Sequence, residues 1–564
     1  MTTSVQTGTP TDPALGRAET ILARWAPVAS RPEPNRLDVP VPAEDVAQAA
    51  QALGRERWGY LAAITGLDHG PEADRLEALY HFCSGAAVLT LRALLPRHGG
   101  TVPSVAETFP LAMFFERELS EMFGVTVAGT PDPSRLFLPD DWPTGVYPLL
   151  KDVNPQAALA AQSETAPPRL QGKSDGDRFI VPIGPQHPAL KEPGHFAFEV
   201  DGEVVKGASV RLGYVHRGIE KACEGQTWVQ NLYLLERVCG ICSHTHATCY
   251  ALGVERLAGV EAPPRAQAIR VILGCLERIH SHLLWLGVAA HEAGFETLFM
   301  YSWRDRETIM DLLEQLSGNR VNYSCNVLGG VKFDISAEQA QAIRRALDFV
   351  EERTRHYLEE VSTDTLFLGR TQGIGVLSRQ EAEYLGTVGP TARASGVPID
   401  IRVTHPYAAY RAFPAEMVLD TAGDLTARFV VRMKEVFESG RVIRSILDNL
   451  PAGDLTVKMP RRIKPAETIS RYEAPRGEVF YFLRSNGSDT PERVHIRTPS
   501  LCNWTSVLTK AVGAQLADVP LLLAGMDPCF SCNDRTVVIT RPRRDPQVLS
   551  WEALRSAARQ DRRR

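Results

Sequence analysis

Two short stretches, Arg237-Val-Cys-Gly-Ile-Cys-Ser-His-Thr-His246 and Asp527-Pro-Cys-Phe-Ser-Cys-Asn-Asp-Arg535, decide how this chain must fold. Each holds a CxxC pair. Cysteines three apart point the same way from a turn or the start of a helix, and a bound cation keeps sulfur deprotonated, so the two pairs can offer four thiolates to one metal centre. The ordinary reading of two such pairs is a structural zinc site. Spacing argues against it, because zinc ribbons set their pairs roughly 15–20 residues apart, whereas 287 residues separate Cys242 from Cys529. Only a large fold brings them together.

At 564 residues the chain is too long for one core and predicts two domains. A hydrophobic share of 44% and a charged share of 23% are ordinary for globular protein. A net charge of −5, with no basic stripe before the last few residues, predicts no nucleic-acid interface. The first ten residues have neither a positive n-region nor an apolar h-region, so no secretory signal is expected and the chain is placed in the cytoplasm. The most apolar runs, Leu283–Ala290 and Val519–Met526, fall far short of the ~20 residues that span a bilayer. Membrane contact is therefore expected only through partners. Ten cysteines in such a chain suggest metal or redox chemistry more than a disulfide framework. Cys83, Cys223, Cys249, Cys275, Cys325 and Cys502 sit singly among apolar residues and are expected to pack as small core side chains.

Taken in order, residues 1 to about 35 read as a loose arm with a short helix at Ala14–Trp25. Residues 36–152 read as a compact α+β unit, with strands at Trp58–Thr65 and Ala86–Leu95 and a helix around Phe109–Phe123. Glu116, Glu118 and Glu121 on that helix are expected to form a solvated face or an assembly contact, not a catalytic cluster. Residues 153–177 read as a linker. The second unit, 178–535, opens with a strand in Phe179–Pro188 and a hairpin turning at Asp201-Gly202. A helical period from Ala262 to about Ile335 predicts a buried bundle. Another helix opens at Thr421, and strands flank Ser485-Asn-Gly-Ser488. His280 and His282 diverge on a helix, and with His291 they are expected to be ordinary hydrogen-bonded histidines. Gly369–Gly375 matches GxxxGxG by letter, but no βαβ unit follows, so no nucleotide site is expected.

The flanks of the cysteines carry a resemblance. RxCGxCxxxH and DPCxxCxxR are similar to the two metal motifs of [NiFe]-hydrogenase large subunits. Arg535 stands where most such hydrogenases carry histidine, which resembles the membrane-bound, complex-I-related branch that includes formate hydrogenlyase. Glu116–Gly124, Pro131–Pro139 and Pro148–Asp152 resemble the 30-kDa subunit of complex I, a docking module without a cofactor. Gly213–Lys221, Gly369–Gly375 and Gly389–Arg402 resemble the 49-kDa subunit. The resemblance covers residues 36 to 535. It implies an α+β fold, with a small N-terminal α+β docking domain followed by a mainly helical bundle domain with a peripheral β-sheet. A fusion of this order is also similar to the fused quinone-reductase scaffold subunit of some bacterial complex I enzymes. That relative has lost the metal-binding cysteines, whereas this chain keeps all four.

The resemblance implies nickel bound by Cys239, Cys242, Cys529 and Cys532, with Cys242 and Cys532 bridging to an iron that carries CO and cyanide. Sulfur donors suit nickel that changes oxidation state. The implied reaction is heterolytic cleavage or formation of H2, with a nearby base handling the proton. Glu220, in Arg217-Gly-Ile-Glu220, matches the RGxE segment whose glutamate is thought to carry that proton. Burial is expected to raise its pKa; the structural alternative is simple pairing with Lys221 or another base. Arg476, in Ala474-Pro-Arg-Gly477, is expected to complement cyanide charge, with Pro499 and Ser500 completing that pocket. His246 is expected to orient a thiolate, and His244 is background. No further cysteine cluster has iron–sulfur spacing, so the electrons imply a separate small subunit with a [4Fe–4S] cluster, and no nucleotide or flavin is expected in this chain. Other implied partners are membrane-arm subunits, nickel-insertion and maturation proteins, and an endopeptidase that removes Thr536–Arg564. A retained strand with a basic tail is the alternative for that segment. The expected location is the cytoplasmic face of the inner membrane.

Overall fold

The computed structural model describes residues 12–139, 142–154, 178–187 and 190–533. The expected linker beyond residue 154 and the expected C-terminal extension lie outside the described residues.

Five strands, β1 (Ser30–Glu33), β2 (Arg36–Pro40), β3 (Tyr60–Asp68), β4 (Arg75–Ser84) and β5 (Ala87–Pro96), form one sheet in the order β1-β2-β5-β4-β3. Only the β2–β5 pair is parallel. Helices α1 (Pro13–Ile21), α2 (Val46–Arg55) and α3 (Ala112–Phe123) share a core with Leu61, Ile64, Tyr80, Phe82, Leu89 and Leu91. The expected strands and helix are all present, but β4 is not among the expected elements. It is buried along nearly its whole length, because the sheet is covered on both faces, so the polar–apolar alternation that reveals a half-buried strand is missing. The expectation of a solvated face at Glu116, Glu118 and Glu121 is also corrected, since all three are buried. Glu116 accepts from Ser104 Oγ and the Val105 amide at 2.7 Å each, and Glu121 from the amides of Leu136, Phe137 and Leu138 at 2.8–3.3 Å. Loop donors replace water around these carboxylates.

After a short parallel pair, β6 (Thr101–Pro103) and β7 (Thr126–Ala128), the second unit opens with an antiparallel meander of β8 (Phe179–Ile183), β9 (His195–Asp201) and β10 (Val204–Arg211). Next come α4 (Ile219–Glu224), α5 (Trp228–Glu236), α6 (Ser243–Ala258), α7 (Pro264–Glu292), α8 (Glu296–Ser317), α9 (Ala337–Thr363) and α10 (Leu425–Asp448). Among the described residues, α7 alone is long and apolar enough to cross a membrane, yet 89% of its most apolar window is buried inside the protein. It is the core helix of the bundle. The small ladder β11 (Asn326–Val327) with β12 (Gly330–Val331) and the sheet β13 (Ala466–Ala474), β14 (Gly477–Ser485), β15 (Arg493–Arg497) complete the strands. The chain then forms α11 (Pro499–Ala511), α12 (Val519–Gly525) and α13 (Phe530–Asn533).

The second face of the first sheet packs on the β13–β15 sheet: Ala62, Ala63, Leu79, Cys83 and Val88 meet Ile469, Phe480 and Phe482. Charged groups in this seam are paired. Glu478 accepts from Tyr60 Oη at 2.8 Å and pairs with both Arg471 and Arg497, while Arg497 Nε donates to Ala62 O at 2.7 Å and Arg471 Nη1 to Gly85 O at 2.8 Å. The apolar core of the first unit also runs on into β8–β10 and α11–α13.

Glu478 neutralises two guanidinium groups that have almost no access to water. Glu478→Ala is expected to lower stability by about 3–5 kcal/mol by leaving both buried charges uncompensated. Arg320→Ala, which breaks ion pairs at the surface, is expected to cost no more than about 1 kcal/mol. Chemical denaturation of both variants checks the difference.

Candidate metal centre

Cys239 and Cys242 lie on the turn into α6, and Cys242 is the residue that caps it. A helix start needs acceptors for its first amides, and the Cys242 side chain supplies none. Glu277 of α7 takes that part. Its carboxylate accepts from His244 N at 2.7 Å, Thr245 N at 3.0 Å and Thr245 Oγ at 2.6 Å. Arg217 fixes the preceding turn, donating to Arg237 O and Val238 O at 2.7 Å each, and reaches Ser531 O of the late motif at 3.2 Å.

The late cysteines follow Asp527, a buried residue in the left-handed region at φ 64°, where aspartate is tolerated better than most side chains. Arg476 Nη2 and Lys191 Nζ donate to its Oδ1 at 2.8 and 2.6 Å, and Arg476 Nε to its backbone oxygen at 2.9 Å. Burial works to raise the Asp527 pKa, but Arg476, Lys191 and Arg432 hold it below the usual carboxylate range. Arg476 sits at the tip of the β13–β14 hairpin. Gly477 beside it has φ 126°, and a Cβ there would stand 2.8 Å from the backbone of Gly389, so this close approach needs glycine.

These two turns bring the four sulfurs together. Sγ–Sγ separations are 3.5 Å for Cys239–Cys529, 3.6 Å for Cys242–Cys532 and 3.1 Å for Cys529–Cys532. All four residues are buried and all ten cysteines are free thiols. Metal–sulfur bonds of ~2.3 Å place sulfurs on one centre ~3.3–3.8 Å apart, a range these pairs approach, and the sulfurs of Cys239, Cys242 and Cys532 all lie within 4.8 Å of one another. Hydrogen bonds from Cys239 and Cys532 lower the Cys242 pKa, whereas the hydrogen bond with Cys239 raises that of Cys529, and burial raises that of Cys532. Protons are thus unevenly shared in this thiol cluster; four buried thiolates together need a multivalent cation.

The remaining expected site residues fall into two places. His246 approaches the cluster, with Nε2 3.6 Å from Cys532 Sγ and Nδ1 2.8 Å from Tyr481 Oη. Pro499 and Ser500 begin α11, and Ser500 Oγ accepts from the Cys529 amide at 3.2 Å. Arg476 lies between Asp527 and Ser281, whose Oγ accepts from its Nη1 at 3.3 Å. Glu220 lies buried on α4, accepting from Arg493 Nη1 at 2.7 Å and the Ile496 amide at 3.0 Å. Lys221 is not its partner; that ammonium bonds Leu150 O and pairs with Glu224. His244 bonds Arg270 O, His280 bonds Tyr323, and His282 and His291 bond glutamates, as ordinary histidines do.

Sequence reasoning missed Lys191, Glu192 and the role of Asp527. Glu192 accepts from both the amide and the hydroxyl of Ser531, and burial with the nearby Cys529 pushes its carboxyl up to about 7. The Lys-Glu pair lies in an irregular Pro-rich loop with no period to mark it; only the letter Asp527 inside the cysteine motif carried a signal.

Comparisons with known proteins agree with this geometry. The family model described as the respiratory-chain NADH dehydrogenase 30 Kd subunit matches residues 39–158, that of the 49 Kd subunit matches 292–466 and 456–535, and that of nickel-dependent hydrogenase matches 217–287. Formate hydrogenlyase subunit 5 of Escherichia coli is 34% identical over 528 residues, 92% of each chain. The C/D-type NADH-quinone oxidoreductase subunit of Phocaeicola vulgatus is 33% identical over 85% of this chain and 96% of its own. Among solved structures, a chain of the membrane-bound sulfane sulfur reductase, an archaeal respiratory membrane complex, is 31% identical, with a TM-score of 0.62 over 64% of this chain and 100% of that one. The two scaffold matches are shared with the complex I relatives, whereas the nickel-dependent hydrogenase match spans the turn that carries Cys239 and Cys242. The chain belongs to the [NiFe]-hydrogenase large subunits built on a fused 30-kDa and 49-kDa complex I-type scaffold, the family of formate hydrogenlyase subunit 5.

Proposed function

We propose that this chain is the catalytic subunit of a complex that interconverts H2 with protons and electrons at a nickel–iron group held by Cys239, Cys242, Cys529 and Cys532. The observation that carries the reading is the buried cluster of four cysteines, in which the sulfurs of Cys239, Cys242 and Cys532 lie within 4.8 Å of one another and Cys529 Sγ stands 3.5 Å from Cys239 Sγ and 3.1 Å from Cys532 Sγ. Cys239, Cys242, Cys529 and Cys532 would hold the group through their sulfurs. When bound, the group supplies the Lewis-acid and redox chemistry that splits H2 heterolytically or forms it.

The chain's own residues prepare that site. His246 aims an imidazole N at Cys532 sulfur while Tyr481 fixes the other ring nitrogen, which sets the ring's orientation. The Arg476 guanidinium, fixed by Asp527, supplies positive charge and N–H donors for cyanide on iron, and Pro499 and Ser500 wall that side. Glu220 carries the proton away from the cysteines. Electrons leave to a small subunit with a [4Fe–4S] cluster, and membrane-arm subunits hold the assembly at the cytoplasmic face of the inner membrane. Nickel-insertion and maturation proteins load the site, and an endopeptidase removes Thr536–Arg564. The competing reading, a quinone-reductase scaffold like the complex I relatives, leaves the four cysteines without a purpose.

Protein purified from its own host is expected to contain nickel and iron in stoichiometric amounts, with infrared bands of bound CO and cyanide. Zinc alone, or no metal despite intact maturation proteins, moves the reading to a structural site or the quinone-reductase scaffold. Cys529→Ser is expected to lose nickel altogether. His246→Ala is expected to assemble, with metal affinity or H2 turnover lowered ~10–100-fold. Mass spectrometry of nickel-loaded, active protein is expected to show the chain without its last residues; an intact tail on active enzyme overturns the cleavage.

A further inference from the structure

Glu220 shares its pocket with a carboxylate from the other unit. Ligand atoms of Glu118 on α3, Glu220 on α4 and His495 on β15 all lie within 4.8 Å of one another, and the three residues are buried. His495 Nδ1 stands 3.5 Å from Glu220 Oε1. Arg493, which pairs with Glu220, also donates from Nε to Gly66 O of β3 at 3.1 Å and lies over the Phe123 ring at 5.5 Å. A Cβ on Gly66 would stand 2.4 Å from that ring, so the close approach of β3 to α3 needs glycine. On the α4 side, Cys223 and Lys221 are the other titratable neighbours, and Lys221 is neutralised by Glu224.

Two carboxylates this close and out of reach of water repel each other. Arg493 compensates one of the two charges, and a proton on Glu118 or on the imidazole beside it compensates the other. The site is therefore suited to hold a proton between groups from both units. One helical step onward from Glu118, at i+3, is Glu121. Glu121 lines a cleft of about 230 Å³ together with Ser134, Trp142, Thr144 and Tyr147. The rim residues Ser134 and Thr144 are exposed, so the cleft opens to water. Burial, opposed by three backbone amides, leaves the Glu121 carboxyl at about 7.

We propose that Glu118 and His495 carry the proton onward from Glu220 across the seam to Glu121 and the open cleft, so that the N-terminal unit is part of the proton path and not a docking module alone. The inference rests on the reading of Glu220 given above. The step moves protons only. One proton passes from Glu220 into the His495–Glu118 pair, the pair passes one to Glu121, and Glu121 releases one to water, which returns every group to its starting state; the opposite order serves H2 formation. Glu118 and His495 act through Glu220.

The test uses the complete membrane complex carrying Glu118→Gln, Glu118→Asp, Glu121→Gln or Glu220→Gln, each checked for nickel and iron content. Glu118→Gln is expected to keep its metals, to lose ~10-fold or more of H2 turnover, to show a larger solvent deuterium isotope effect, and to lose a deuterium-sensitive carboxylic C=O band from the H2-minus-oxidised infrared difference spectrum. Glu118→Asp is expected to restore part of each. Wild-type turnover and an unchanged difference spectrum in Glu118→Gln, with Glu220→Gln inactive, overturn the extended path and leave the parent reading standing. Full activity in Glu220→Gln sinks the parent assignment itself. Should Glu118→Gln fail to assemble, Glu121→Gln at the cleft decides by the same turnover and isotope readouts.

Discussion

One buried carboxylate, Asp527, holds the late cysteines where the early ones can meet them. A charge with no access to water is tolerable only when cations are brought to it, and here they arrive from separate elements: Lys191 from the β8–β9 loop, Arg476 from the β13–β14 hairpin, and Arg432 from α10. Satisfying Asp527 therefore requires the meander, the second sheet and the bundle to be in place together. Its left-handed backbone then turns the chain so that Cys529 and Cys532 face Cys239 and Cys242. The metal centre is a late product of this arrangement, because the sulfurs come from opposite ends of the unit and nothing local brings them together.

Most of the surrounding polar contacts hold backbone, not sulfur. Glu277 caps the α6 amides, Arg217 binds carbonyls of both motifs, and Glu192 binds the Ser531 amide. Such contacts would survive loss of the cysteines, and relatives named as hydrogenase and as quinone reductase match this chain at similar identity. His246 is different in that its imidazole is directed at a sulfur, and Tyr481 has no comparable reason to fix that ring in a site without thiolates. The cysteines and this histidine are the groups on which the proposed metal chemistry rests; the other contacts hold the shape.

The parts legible in the sequence were those whose signal is local or written in distinctive chemistry: the CxxC pairs, the hairpin at Gly202, and the long apolar period of α7. What escaped was set by neighbours distant in sequence. β4 carries apolar residues toward both faces because helices cover one side and β13–β15 the other, so its own letters show no alternation. Glu116 and Glu121 look like surface charge until loops 104–105 and 136–138 supply their donors. The pairing of Glu220 with Arg493 could not be read either, since 273 residues separate them and many arginines were available.

The seam between the two units differs from a docking contact in kind. Transient interfaces are wet and leave their charges at the rim, where water stabilises each partner alone. Here Arg471, Arg497 and Glu478 are enclosed, and Arg36 and Arg92 of the first sheet share Glu467 of the second. Separating the units would strand several of these charges without partners, at a cost of several kcal/mol for each broken buried pair. The shared apolar core through β8–β10 adds to that cost. The first unit is consequently part of the wall behind the catalytic unit, and the groups it contributes, Glu118 of α3 among them, are as fixed relative to Glu220 as residues of the same domain.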